Sequence, residues 1–286
     1  MLRTRLWMGA SLVVLTAGVL IADRHLVPWY PFLLVLVVAL ASVACFEMHG
    51  LLAAPLQPPL CLCYTSVIAL VAANWVPHLF APGSNAWQWL SSTFAAVVIV
   101  AFLAEMAAFR GPGESVPRVA LTVWVAAYLG LLPAFFVQLR WLGSTSGDGV
   151  IDRGTLALAL AAFVPKCADI GAYFTGRLLG RHRMTPVLSP KKTWEGAIGG
   201  VAASIAAAIG INRLGPILPH GIWAEVGFGI TVGVTGILGD LAESLIKRDR
   251  GHKDASQAIP GFGGVLDVID SVIFAAPVAY CWLAIK

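Results

Sequence analysis

Residues 28–46 read PWYPFLLVLVVALASVACF, nineteen positions without one charged side chain. A bilayer core about 30 Å thick takes roughly 20 mostly apolar residues per helix, so a stretch of this length and character can cross a membrane. It is continuously apolar rather than alternating, which argues for a helix and against a barrel strand, and a helix also satisfies its own backbone groups in lipid. Working outward, comparable stretches recur from Leu6 to Leu283. They give about nine spans, near 6–22, 28–46, 60–76, 87–105, 119–138, 155–175, 196–211, 221–243 and 268–284. The expected fold is all-α, a polytopic integral membrane protein of the lipid bilayer.

Composition agrees. The 286 residues are 58% hydrophobic and only 12% charged, and mean hydropathy is +0.82. That is too little polar surface for a water-soluble globule, and the recurrence of spans excludes a single anchor on a soluble domain. Leu6 to Ala22 follows Arg3 and Arg5 as a secretory leader would, but no small-x-small cleavage site precedes polar sequence, and it reads as a retained first span. Cys45, Cys61, Cys63, Cys167 and Cys281 lack paired zinc-type spacing. Cys61-x-Cys63 reads as small apolar residues at a helix start.

Loops are marked by Gly, Pro, Ser and Asn, as at 55–59, 81–85, 111–114 and 143–147. The net charge of +4 says little, but its placement says more. With the N-terminus in the cytoplasm, nine spans put 13 Lys and Arg inside and five outside (Arg24, Arg140, Arg153, Arg213, Lys286), with Lys166 inside a span. The positive-inside rule therefore favours N-terminus in and C-terminus out, in a bacterial inner membrane.

The two halves differ. Residues 1–150 hold five scaffold-like or lipid-facing spans, while residues 151–286 hold four spans that carry ionisable groups, with cytoplasmic loops at 177–195 and 246–266. Charges inside a bilayer are costly and mark functional cavities or pairs. Lys166, Asp169 and Tyr173 share a helix face, either as a self-neutralising pair or as part of a site. Gly171, Gly176 and Gly180 suit close helix packing. In Leu188-Ser189-Pro190-Lys191-Lys192-Thr193-Trp194-Glu195, the two lysines with Ser189 and Thr193 can hold phosphate oxygens at a helix start, or form an ordinary basic loop. The spacing is not that of a Walker A loop.

The most informative stretch runs from Gly239 to Ser271. Asp240, Glu243 and Ser244 share one face of a span end, and Asp267, Asp270 and Ser271 share one face of the next span. Between them stand Lys247, Arg248, Arg250, His252 and Lys253. Carboxylates for a hard cation beside basic groups for phosphate are the parts that phosphoryl or nucleotidyl transfer needs.

These residues resemble the phosphatidate cytidylyltransferase (CDP-diacylglycerol synthase) family. Ser244-x-x-Lys247-Arg248-x4-Lys253-Asp254, then Pro260-Gly261-x-Gly263-Gly264 and Leu266-Asp267-x-x-Asp270-Ser271, match its signature in order and spacing. Ser189 to Gly196 and Asp169 to Gly176 resemble further family elements, so the likeness covers the last 120 or so residues. Phe262 and Val268 stand where the family commonly has His and Arg; a phosphate contact there is absent or falls to His252 or Arg250.

The resemblance implies attack by the phosphate of phosphatidic acid on the α-phosphorus of CTP, releasing pyrophosphate. It implies Mg²⁺ on Asp240 and Asp267, with Asp270 and Glu243 as supporting acids and Asp169 as a weaker candidate. Lys191, Lys192, Lys247, Arg248 and Lys253, with Ser189, Thr193 and Ser244, are expected to hold the phosphates. Lys191, Lys192, Lys247 and Arg248 join Asp240 and Asp267 in the catalytic set. Nucleic acid is not an expected partner, and a homodimer is left open. The competing readings are a CTP-dependent lipid (polyprenol) kinase and an ion-coupled secondary transporter.

Overall fold

The computed structural model describes residues 11, 14–143, 151–218, 221–252, 255–256 and 263–284. Eight principal helices follow one another: α1 Pro31–Leu51, α2 Leu60–Ala73, α3 Ala86–Ala108, α4 Ser115–Trp141, α5 Arg153–Leu179, α6 Trp194–Asn212, α7 Ile222–Asp249 and α8 Leu266–Ala284. Seven of them are long and apolar enough to cross a membrane. The exception is α2, whose 14 residues reach only about 21 Å at about 1.5 Å per residue. The expected first span falls partly on residues 1–10, 12 and 13, outside the described ones. The chain is thus an all-α polytopic membrane protein, with seven full-length spans among the described residues rather than the nine expected.

The helices cluster into two compact units. In the first, residues 1–134 with 254–266, Leu70, Val97 and Ala126 bring α2, α3 and α4 together around Phe94. A π-turn at Ala127–Leu131 interrupts α4. There Gly130 faces Leu70 so closely that an added Cβ would lie 2.7 Å from it. The buried acids of this unit include Asp23 and Glu47. Asp23 accepts hydrogen bonds from the backbone N–H groups of Phe32 and Leu33 at 3.0 and 2.6 Å, which satisfies donors in the first turn of α1. Glu47 lies inside α1, because that helix runs past residue 46. Its carboxylate accepts from Ser256 Oγ (2.6 Å) and from the backbone N–H groups of Val265 (3.0 Å) and Leu266 (2.8 Å). Those bonds offset the cost of a carboxylate in an apolar helix.

In the second unit, residues 135–253 with 267–286, small residues set the spacing. Ala168, Ala172 and Gly176 on α5 meet Gly196 and Gly200 on α6. A Cβ on Gly200 would fall 2.7 Å from the Ala168 carbonyl oxygen, and one on Gly171 2.5 Å from Ala203 Cβ. This is the close approach that small residues allow in membranes. Gly236 of α7 likewise sits against Pro165 of α5, and Gly239 against the Asp270 carbonyl oxygen of α8. The start of α5 is fixed by Asp152, whose carboxylate accepts from Thr155 N and Oγ1 and pairs with the fully buried Arg140 at 3.0 Å. Burial alone would raise the Asp152 carboxyl, but the Thr155 bonds and Arg140 outweigh it and hold it below its ordinary value.

The stretch read as a plain loop after α5 is partly a hairpin. β1 (Arg183–Thr185) and β2 (Ser189–Thr193) pair antiparallel, Arg183 opposite Thr193. The hairpin is tied down where α6 starts. Thr193 is the N-cap of α6 and accepts from Gly196 N at 3.1 Å, Trp194 N donates to the His182 carbonyl, and the Glu195 carboxylate meets His182 Nδ1 at 2.5 Å.

Candidate metal and phosphate site

The site lies in the second unit and draws on α5, β2, α7 and α8. On α7, four-residue spacing lines up Asp240, Ser244 and Arg248, with Glu243 and Lys247 on the adjoining row. On α8, Asp267, Asp270 and Ser271 face them. Asp240, Glu243 and Asp270 each offer an oxygen, and these oxygens lie within 4.8 Å of one another. Glu243 and Asp270 are buried, at 1% and 3% exposure.

Each of these three carboxylates has one oxygen held by a lysine. Lys192 of β2 pairs with Asp240 Oδ2 at 2.8 Å, Lys247 donates to Glu243 Oε2 at 2.7 Å, and Lys166 of α5 reaches Asp270 Oδ1 at 3.4 Å. Ser271 N also donates to Asp270 Oδ1 at 2.6 Å. Of the second oxygens, Glu243 Oε1 is buried and takes no hydrogen bond from the described residues. A buried carboxylate oxygen without a donor is expensive, and native structures rarely tolerate one without a ligand to satisfy it.

Lys166 also donates to Asp169 Oδ2 at 3.0 Å, and Ser271 Oγ donates to the same oxygen at 2.9 Å. Lys247 also donates to Asp267 Oδ1. Among the described residues the connected set holds five carboxylates, Asp169, Asp240, Glu243, Asp267 and Asp270, against three ammoniums, Lys166, Lys192 and Lys247, so acids are in formal excess. The donor set is all oxygen, as hard cations such as Mg²⁺ prefer. The residues present fit such an ion, with Asp240, Glu243 and Asp270 as the group able to hold it.

Of the acids expected from sequence, Asp240, Glu243 and Asp270 lie together in the three-acid group, while Asp267 lies beside it with its carboxylate engaged by Lys247. Asp169 sits at the edge, joined through Lys166 and Ser271. Thr193 spends its hydroxyl on capping α6, which leaves Lys192 as the residue of that motif that reaches the acids. Lys191 is exposed, and Ser189 sits half-buried in β2. Ser244 is buried on α7. Arg248 reaches back to the hairpin, donating to the Leu188 carbonyl at 3.4 Å and to that of His252 at 3.1 Å. Lys253 lies outside the described residues, as does Phe262. Tyr173 turns away to accept from Arg177 at 2.9 Å.

Sequence spacing had left Lys166 between a local pair and a site residue. Its bond to Asp270, 104 positions away, is what spacing within one helix does not reveal. The only sequence signal was a lysine inside an apolar span.

Against this geometry stand the relatives of the sequence. The family model described as "Cytidylyltransferase family" matches residues 3–286. A protein of Synechocystis sp. named phosphatidate cytidylyltransferase is 32% identical over 246 residues, 77% of this chain and 76% of that protein. Proteins of the same name from Brucella suis and Haemophilus influenzae are 40% identical over 162 residues and 45% identical over 128. Those two alignments span 57% and 44% of the relatives' lengths, less than two thirds of each.

Proposed function

The chain belongs to the cytidylyltransferase family, and on that premise we propose that it transfers the cytidylyl group of CTP to phosphatidic acid. The products are CDP-diacylglycerol and pyrophosphate. The observation that carries this reading is the three-acid group, with a buried oxygen of Glu243 that takes no hydrogen bond from the described residues, ringed by lysines from α5, β2 and α7. Relatives that carry the name phosphatidate cytidylyltransferase supply the substrate class. The lipid-kinase and transporter readings are not favoured by that membership.

In the reaction a phosphate oxygen of the lipid forms a bond to the α-phosphorus of CTP while the bond from that phosphorus to the bridging oxygen of pyrophosphate breaks. The nucleophile is already an anion, so no strong general base is required. The difficulty is bringing two polyanions together. A divalent ion, which we take to be Mg²⁺, supplies charge neutralisation and polarises phosphate oxygen when bound. Asp240, Glu243 and Asp270 would hold it, with Asp267 keeping Lys247 in place beside them. Lys192, whose ammonium is buried against a third-exposed Asp240, can exchange its carboxylate partner for a phosphate oxygen. Lys191 and Arg248 extend the positive surface for the triphosphate and the lipid headgroup.

The hairpin and the end of α7 meet through Arg248 and Leu188, so the loops after α5 and α7 share one face. Their load of Lys and Arg supports a cytoplasmic position for that face, in the inner membrane of a bacterium. CTP then reaches the site from water and the lipid reaches it sideways from the bilayer. In this reading residues 151–286 carry the chemistry and residues 1–150 the scaffold.

The test is purified protein in mixed micelles with phosphatidic acid, Mg²⁺ and CTP labelled at the α-phosphate. Label should pass to the lipid with release of pyrophosphate, and Asp240→Asn should abolish the transfer without preventing membrane insertion. Transfer of a γ-label with release of CDP overturns the reading in favour of a kinase.

A further inference from the structure

We propose that Glu47 of α1 is a positioning residue for the transfer reaction: it caps α8 from another helix and so holds the first turn of α8, Asp267 included, in place. The proposal rests on the function proposed above and goes beyond it, since that reading leaves residues 1–150 as scaffold.

A carboxylate at position 47 is costly. It is 5% exposed, and it is the one acid in the sequence of α1. An apolar side chain would pack there without that cost; what the carboxylate adds is acceptance of hydrogen bonds. Oε1 takes Ser256 Oγ and Val265 N, and Oε2 takes Leu266 N, from positions 209, 218 and 219 residues further along. Glu47 and these partners belong to the first unit.

The start of α8 needs an acceptor from outside itself. The first N–H groups of a helix have no partner within it, and a side chain just before the helix normally caps them. Gly263, Gly264 and Val265 precede Leu266, and none has a side-chain oxygen. Glu47 takes that place, and its negative charge also suits the positive end of the helix. Gly264 makes the room, since an added Cβ would lie 2.5 Å from Glu47 Oε2. What the cap protects follows from the next residue. Asp267 is second in α8 and receives Lys247, which also donates to Glu243. Helices fray from their ends, and fraying here releases Asp267 first. Glu47 thus acts through Leu266 and Asp267 on Lys247, without touching substrate.

The experiment compares purified full-length variants in one detergent. Glu47→Gln keeps the shape, but whichever way its amide turns, an N–H₂ group meets donors. Amide exchange over residues 263–268, read without substrate, should quicken by about tenfold or more at 265 and 266, the scale of one lost hydrogen bond. The kcat for CDP-diacylglycerol formation should fall several-fold, up to about tenfold, with smaller changes in either KM. In an Asp267→Asn background the same change should add less than about twofold, because the group it positions is gone. Asp23→Asn removes a buried carboxylate that serves α1, and it should leave kcat unaltered even where it lowers the unfolding temperature as much. Unaltered exchange or kcat in Glu47→Gln, a full multiplicative loss in the Asp267→Asn background, or an equal loss in Asp23→Asn overturns the proposal. Should Glu47→Gln fail to fold, Glu47→Asp, which draws the carboxylate back by one methylene, is judged by the same criteria. A wild type that moves no cytidylyl group to phosphatidic acid sinks the function reading instead, so the two failures are told apart.

Discussion

At the scale of single residues, the structure separates carboxylates that look alike in sequence. Glu243 and Asp267 both border hydrophobic spans and both touch Lys247, yet only Glu243 contributes to the three-acid group with a buried oxygen that lacks a donor. Glu243→Gln should therefore lower turnover by roughly 10²–10³-fold, the scale of losing one preorganised electrostatic contact. Asp267→Asn should cost only about tenfold, the scale of losing a partner that orients the groups around a metal. Rates of labelled CDP-diacylglycerol formation, with Mn²⁺ affinity measured alongside, decide the order. A reversed order would make Asp267 the ligand and Glu243 the orienting acid. Sequence alone ranked Asp267 above Glu243 because spacing along α7 and α8 shows which residues share a face but not which faces meet. The acids themselves were legible, since a carboxylate at the edge of an apolar span needs a partner. The choice among them depended on where Lys247 and Lys166 end, and flexible side chains of that length leave no periodic trace.

At the scale of elements, helix existence was legible from length and apolarity, while ends were set by caps that hydropathy does not register. Helix α1 continues past residue 46 because Glu47 finds three donors in residues 256–266, and α6 starts at Trp194 because Thr193 caps it. The hairpin before α6 went unread because its strands are short and polar, with no alternating apolar pattern to announce them. The contact between α5 and α6 allows a sharp comparison of two glycines on one helix. Gly200 faces the Ala168 carbonyl oxygen at 2.7 Å from an added Cβ, whereas Gly210 has nothing within 4 Å. Gly200→Val should destabilise the protein by about 1–3 kcal/mol through overpacking. Gly210→Ala should be neutral or stabilise by up to about 1 kcal/mol through helix propensity. Thermal unfolding in one detergent, read for both variants against wild type, checks the pair. Equal effects would mean that α5 and α6 are not held together by backbone approach.

At the scale of the whole molecule, the reading depends on which loops share a side of the membrane. The 19 residues of α6 span about 28 Å at about 1.5 Å per residue, nearly the full bilayer core. The hairpin before it and the turn after it must then open on opposite faces. Val187 in the hairpin is 94% exposed, and Leu214 beyond α6 is 68% exposed, so the protein itself shields neither from a labelling reagent. In a chain whose native cysteines are replaced by alanine, V187C should react with a membrane-impermeant maleimide in inside-out vesicles and not in intact spheroplasts. L214C should show the opposite pattern. The direction matters chemically as well as topologically. Lys191, Lys192 and Arg248 lie on the hairpin side, and CTP is a charged solute that does not cross lipid unaided, so the site can work only if this face meets the compartment that contains the nucleotide. Labelling of both positions from one side would remove α6 as a span. Labelling of V187C only from outside would leave the site facing away from CTP and break the mechanism at its first step.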